Sequence, residues 1–315
     1  MDDAVSDVRL SQFRDMSQRR DEYLAKAIRK LDGWSGVQLS YSAWSSYRQC
    51  PLKGVLGSTR VVKPAEMPPI SVANFRGQVV HKVFDLVLEQ SRRDPKVLLS
   101  AEAFVDAIPV AWGIVNKECG AQVAWESDAQ PDSVSADLKC IIDQSYLLMR
   151  EVPGDGLRIL KLAYENKFYT EKRFRMKLDS AITLIGRIDL QIVTPELVLA
   201  VDYKDGKKEN TSWKQLAFYM AEQLEAGSPC RGGFLFTSLG EWAWKNIDTL
   251  RWACLKEEIR EVVALIESRE FPAVVGRLCG YCDFSAVCPE YFLKGGLTKQ
   301  LENELSAMPD GENQW

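Results

Sequence analysis

The chain has 315 residues, 46% of them hydrophobic and 27% charged, with a net charge of −4. Those proportions support a buried core and exclude a disordered or low-complexity chain. No apolar run approaches the roughly 20 residues that span a bilayer, and the start MDDAVSDVRLSQFRD has no apolar stretch after a basic one, so it is not a secretory signal. The expected setting is the cytoplasm, with no membrane partner, where the eight cysteines are thiols or metal ligands. Net charge does not announce a nucleic-acid partner. Yet Arg158 to Lys177 carries seven basic residues against Glu165 and Glu171, a local balance able to follow phosphates.

In chain order, residues 1–36 read as a charged helical extension, with Leu10, Phe13 and Met16 and then Leu24, Ile28 and Leu31 at helical spacing. LSYSAWSSYRQCP offers serine caps before a short helix that ends at Cys50 and Pro51. After the proline-rich VVKPAEMPPI, a long helix runs from about Asn74 to Ser91, its apolar stripe formed by Val80, Val83, Phe84, Val87 and Leu88. Residues 95–150 read as further helices, and Pro-Gly-Asp-Gly at 153–156 is the clearest break.

Beyond it the period changes to two. FYTEKRFRMKL places Phe168, Thr170, Phe174 and Met176 on one face and Glu171, Arg173, Arg175 and Lys177 on the other. AITLIGRIDLQIV, ELVLAVDYK, GGFLFTSL and EWAWKNI read as strands, WKQLAFYMAEQLEAG as a helix ended by Gly227, and 249–269 as a last long helix. The fold class is therefore α/β, a mixed sheet flanked by helices. No phosphate-binding G-x-x-x-x-G-K-[ST] loop is present, which excludes a fused P-loop motor.

The pair of strands around Thr194-Pro195-Glu196-Leu197 carries the chemistry. Proline suits the first central position of a turn, and a symmetric loop centred between Pro195 and Glu196 sets Asp189 opposite Asp202. Directly opposed residues share a face with Cβ atoms about 5 Å apart, and Lys204, two positions on, joins them. Two carboxylates held that close call for a cation or a shared proton, and hard oxygen ligands favour Mg²⁺ or Mn²⁺. A plain charged surface, with both aspartates paired to Arg187 and Lys204, is the alternative. Gln215 and Tyr219 stand at i and i+4 on the next helix and so face one way. His81 is the sole histidine, on the long helix, either a partly buried core residue or an imidazole ligand.

Cys279, Cys282 and Cys288 form C-x2-C-x5-C-P, and Cys50 near the other end is also followed by proline. The spacing admits a tetrahedral zinc site or a [4Fe–4S] cluster. Cys119, Cys140, Cys230 and Cys254 lack ligand spacing and read as buried thiols. Trp44, Tyr47, Tyr281 and Phe284 read as packing around the cysteines, with base stacking as the other use.

Taken together, His81 of GQVVHKVFD, Asp189 of GRID, Asp202 and Lys204 of DYK, and Gln215 and Tyr219 of QLAFY resemble, in kind and order, the motifs of the PD-(D/E)xK nucleases, and more narrowly of the RecB-type branch. The split cysteines resemble those of its iron–sulfur members: CRISPR-associated RecB-like exonucleases, AddB-type nuclease domains and phage-encoded relatives. The likeness covers about residues 38–292, with 95–155 poorly matched by motif, and the second acidic residue is aspartate where glutamate is more frequent.

The resemblance implies a restriction-endonuclease-like fold with an iron–sulfur staple made from both chain ends, at Cys50, Cys279, Cys282 and Cys288. It implies a cation held by His81, Asp189, Asp202 and the Tyr203 carbonyl, with Lys204 catalytic and Gln215 and Tyr219 helping to position DNA. Glu171 is at most an outer-shell group. The organisation that follows is a helical extension 1–36, a nuclease domain 37–292 and a tail 293–315. Within the domain, the helical part is about 70–152, the catalytic core about 155–270, and the cluster segments 38–52 and 277–290. The implied activity is a Mg²⁺- or Mn²⁺-dependent exonuclease on single-stranded DNA or DNA ends, working beside recombination, replication or CRISPR-adaptation proteins. The alternatives are a cluster-bearing DNA-binding or assembly protein with a vestigial site, and a zinc-stapled endonuclease.

Overall fold

A computed structural model describes residues 2–125, 131–150, 158–206, 208 and 211–293. The break at 153–156, Lys207 and the tail from 294 lie outside the described residues. The chain divides into two compact units, one of residues 38–41 and 69–258, the other of 1–37, 42–68 and 259–315.

The first unit is built on a six-stranded mixed sheet. Its strands are β1 (Val37–Leu39, all but Val37 in this unit), β4 (Lys167–Lys177), β5 (Ile182–Val193), β6 (Val198–Lys204), β7 (Cys230–Phe236) and β8 (Glu241–Lys245). Their order is β1-β5-β6-β7-β8, with β4 also on β5. A separate two-residue parallel pair, β2 (Ile70–Ser71) with β3 (Val123–Ala124), was not foreseen from the sequence. The β5–β6 hairpin has the expected register, Leu190 opposite Val201 through Val193 opposite Val198. Thr194 ties its turn: its amide donates to the Leu197 carbonyl at 3.0 Å, and its hydroxyl accepts from the amides of Glu196 and Leu197. β6 and β7 are parallel, joined by α9 (Trp213–Tyr219) and α10 (Ala221–Glu225). The helix expected there is broken at Met220, whose ψ of 14° departs from helical values, and the chain leaves α10 through Gly227 at φ 63°.

One sheet face carries α4 (Val72–Ser91), α5 (Ala101–Asp106), α6 (Ile108–Cys119), α7 (Pro131–Arg150) and α8 (Ile159–Glu165). Ser71 caps α4 by accepting the Asn74 amide at 3.2 Å. The predicted stripe Val80, Val83, Phe84, Val87 and Leu88 is fully buried and packs into one core with Leu190, Ile192, Val201 and Tyr203. Each such side chain contributes about 1.5–3 kcal/mol on burial. Because successive strand residues point to opposite faces, Tyr203 faces α4 while Asp202 faces α9.

The even alternation expected for β4 does not hold along its length. Phe168 joins the α4 core, whereas Phe174 meets the ring of Tyr219 on α9, 6.3 Å between centroids. The reversal falls at Glu171, which has φ 46°. Gly186, opposite Phe174, makes room for this ring: a Cβ there would lie 2.4 Å from it.

In the second unit are α1 (Asp2–Asp32), most of α2 (Tyr41–Gln49), α3 (Pro51–Thr59), the end of α11 (Thr249–Ser268) and α12 (Pro289–Tyr291). α3 was not anticipated. Pro51 starts it and disfavours helical backbone at the preceding residue, so Cys50 is extended (φ −159°, ψ 113°) and separates α2 from α3. Gly54 lets α3 pack on Tyr47, whose ring lies 2.4 Å from where a Cβ would stand. Cys140 and Cys254 are exposed, and Cys119 and Cys230 half-buried, so the expectation of four buried thiols is corrected. Cys140 and Cys254 ride on the solvent sides of α7 and α11, away from the apolar stripes that α7 and α11 bury.

Candidate active site

The β5–β6 ladder stops at Leu190 and Val201. At the next position Asp189 turns its carboxylate to the chain itself: Oδ2 accepts the Tyr203 amide at 2.8 Å. The two strands splay there, and α4 reaches into the gap. His81 Nδ1 lies 3.3 Å from Asp189 Oδ2, and His81 Nε2 donates to the Tyr203 carbonyl at 2.9 Å. The carbonyl expected to face a cation is thus held by the imidazole.

Asp202, 2% exposed, points the other way. Its Oδ1 accepts from Gln215 Nε2 at 2.8 Å and from the Tyr219 hydroxyl at 3.0 Å, and Gln215 also donates to Tyr219 at 2.9 Å. Ser212 starts α9 by accepting the Lys214 amide at 3.3 Å, which sets the pitch that aims both side chains at Asp202. Lys204 Nζ approaches Asp202 Oδ2 to 2.7 Å. The ammonium is thus the one group at this buried oxygen, which no amide or other side chain among the described residues reaches.

Glu171, set aside in the sequence, belongs to this group. One ligand atom each from His81, Glu171 and Asp189 lies within 4.8 Å of the other two, and no other such trio exists among the described residues. The β4–β5 register places Glu171 beside Asp189, and Arg187 Nε contacts its Oε2 at 2.6 Å. The signal was present: a lone acid in a basic strand, at the rung that faces Asp189.

Burial, and then the Asp189 charge, push the Asp202 carboxyl up to about 6. Burial alone draws the His81 imidazole down, but the carboxylates of Asp189, Asp202 and Glu171 outweigh it and hold the ring at about 9. Burial pushes Asp189 up, yet the His81 charge and the Tyr203 amide keep it below the ordinary carboxylate range. Burial and Asp189 raise Glu171. Two carboxylates, Asp189 and Glu171, beside one imidazole make a donor set suited to a hard divalent cation, while Asp202, expected to share that face, is turned to Gln215, Tyr219 and Lys204 instead.

All eight cysteines are free thiols. Cys50, Cys279, Cys282 and Cys288 line one cavity of about 170 Å³, with Leu52 and Phe284 among its walls. The Val274 amide donates to Cys50 Sγ at 3.3 Å and the Gly276 amide to Cys279 Sγ at 3.2 Å. Burial raises the Cys282 thiol and pushes Cys288 up to about 11, so these sulfurs become thiolates when a cation offsets that cost. Trp44, Tyr47 and Phe284 are buried, as packing requires; Tyr281 is 87% exposed.

The sequence profile described as the PD-(D/E)XK nuclease superfamily matches residues 38–289. No match was found among curated proteins. A solved structure, "Crystal structure of SSO0001", is similar at 11% identity over 85% of this chain and 95% of that one, with a TM-score of 0.34, too low to carry an argument. No described helix is long and apolar enough to cross a membrane.

Proposed function

The chain belongs to the PD-(D/E)XK nuclease superfamily, and from that premise we propose that it is a Mg²⁺- or Mn²⁺-dependent exonuclease acting on single-stranded DNA or DNA ends. The observation that carries this reading is the trio His81, Asp189 and Glu171 beside the point where the β5–β6 ladder ends, with Asp202 and Lys204 paired on the adjoining stretch of β6. Asp189, Asp202 and His81 hold the cation, with Glu171 completing the set from β4. When bound, the cation lowers the pKa of a water and offsets charge on the scissile phosphate.

The remaining work falls to the chain. Asp189, tied to the Tyr203 amide, fixes one carboxylate against the backbone. Gln215 and Tyr219 occupy Oδ1 of Asp202 and so leave Oδ2 to the reacting side. Lys204, its ammonium at that oxygen, orients the attacking water or neutralises charge on the phosphate. Tyr203 packs its ring 4.8 Å from that of Phe84 on α4, which anchors β6 to the helix that carries His81.

The cysteine cavity is read as a [4Fe–4S] site. Four thiols, amide donors to two of the sulfurs and a cavity of about 170 Å³ support it. Its role is structural, holding the segments around Cys50 and Cys279 together.

The test is incubation of purified protein with end-labelled linear and circular single-stranded DNA in Mg²⁺ or Mn²⁺. Linear strands should be shortened from an end and circles spared. Cleavage of circles at the same rate would remove the exonuclease reading, and cleavage that survives Asp202→Ala would remove the site.

A further inference from the structure

Beyond Glu171, β4 carries a row of cations that no part of the site uses. Arg173, Arg175 and Lys177 are exposed and alternate with the buried Phe174 and Met176. Beyond the β4–β5 ladder, the side chain of none of the three makes an ion pair or hydrogen bond among the described residues. The register sets Arg173 directly opposite Arg187, itself 63% exposed and spending its Nε on Glu171. Like charges directly opposed on a sheet are destabilising, and among the described residues Glu171 is the one carboxylate in an ion pair with either. A surface built at that cost is accounted for by an anion that arrives from outside.

The geometry points to this row as the track that carries the sugar–phosphate backbone of single-stranded DNA to the cation site, an inference that rests on the nuclease reading above. Continuity with the site favours it. Because alternation reverses at Glu171, residues 171, 173, 175 and 177 share the face on which Glu171 meets His81 and Asp189. Successive members are about 6.6 Å apart along the strand, comparable to the step between neighbouring phosphates on an extended strand. From Glu171 to Lys177 the row covers about 20 Å, room for roughly three phosphates beyond the reacting one. Guanidinium groups suit them, since each presents a planar fork to two phosphate oxygens. The carboxylates of the cation site lie at the Glu171 end of the row, and Asp179 beyond Lys177 is taken up by the Ala181 and Ile182 amides, so the strand is drawn along β4 to the acidic centre where a cation offsets it.

The triple variant Arg173→Ala/Arg175→Ala/Lys177→Ala, its fold checked by circular dichroism, tests the track. A fluorescent 20-nucleotide single strand is titrated by anisotropy at several salt concentrations, and its cleavage is followed in parallel. A nitrophenyl ester of thymidine monophosphate, too short to reach the row, serves as a second substrate. The variant should bind the strand at least tenfold more weakly, with KM raised and kcat within twofold. Its salt dependence, as the slope of log affinity on log salt, should be shallower by about 2, near 0.7 for each lost phosphate contact. Turnover of the short ester should be unchanged. Equal affinity and equal slope in both proteins would overturn the track, as would single-stranded RNA binding more tightly than DNA. Wild-type protein that binds through the row and cuts nothing overturns the nuclease reading and leaves the track standing.

Discussion

Asp189 and Tyr203 are joined where the ladder between their strands ends: the carboxylate of one accepts the backbone amide of the other at 2.8 Å. The bond fixes a proposed cation ligand and satisfies a buried donor together. Asp189→Ala should therefore cost about 1–3 kcal/mol of stability from the orphaned amide as well as activity. Asp189→Asn keeps an acceptor oxygen and should retain most of the stability while losing cation affinity. Urea denaturation of both variants beside a Mn²⁺ titration separates the effects; equal stability of the two would show the amide bond to be dispensable.

Lys204 stands 2.7 Å from Asp202 Oδ2, the oxygen that Gln215 and Tyr219 leave to it. Lys204→Met should lower kcat by about 10²–10⁴ with the fold intact, and Lys204→Arg should not restore it, because a planar guanidinium does not replace a compact ammonium. Single-turnover cleavage of end-labelled DNA measures both.

Gln215 and Tyr219 touch Asp202 rather than facing outward. As positioning residues, each should act through that carboxylate. Tyr219→Phe is expected to lower cation affinity or kcat by about 10–100-fold and leave KM for DNA nearly unchanged. A rise in KM alone would assign them to DNA contact instead.

The pKa directions predict how the protein behaves in chelator. Folded Asp202 titrates at about 6 against an ordinary 3.8, so between those values the folded chain keeps a proton that the unfolded chain releases, and stability falls as pH rises. Folded His81 at about 9 against 6.5 does the same over pH 6.5–9. Denaturation midpoints should drop across both windows, and Asp202→Asn should abolish the lower drop. An imidazole that donates from both nitrogens must lose a proton to ligate, so Mn²⁺ uptake at pH 7.5 should release protons, measurable by calorimetry in buffers of different ionisation enthalpy.

Cys50 and the trio after Cys279 line the same cavity. Anaerobically purified protein should absorb near 400 nm, and Cys50→Ala should lose that absorbance and lower the melting temperature by roughly 5 °C or more. Stoichiometric zinc without iron would replace the cluster.

Much of this was readable without coordinates. The hairpin register followed from the turn, since a two-residue period and a fixed loop centre leave one pairing, and Leu190 faces Val201 as that pairing demands. The α4 stripe followed from helical spacing and is buried as read. Glu171 was half readable: the lone acid in a basic strand, at the rung of Asp189, stood in the sequence, but strict alternation set Thr170 and Glu171 on opposite faces, and the backbone reversal at φ 46° that brings Glu171 to His81 has no local signature. The break at Met220 and the helix after Pro51 escaped for a related reason, because packing and not propensity sets those ends.

By itself, then, the sequence determined which residue types lie at which intervals, and with them the strands, the main helix and the hairpin register as far as Leu190 and Val201. The tertiary structure alone decided how those groups meet. It put His81 against Asp189 and the Tyr203 carbonyl, closed Gln215 and Tyr219 on Asp202, and drew four cysteines to one cavity. The physical reason is range. Periodicity and turn chemistry act between near neighbours in the chain, whereas a shared carboxylate, an imidazole held between two strands or a thiol cavity depends on segments that come together only when the core is packed.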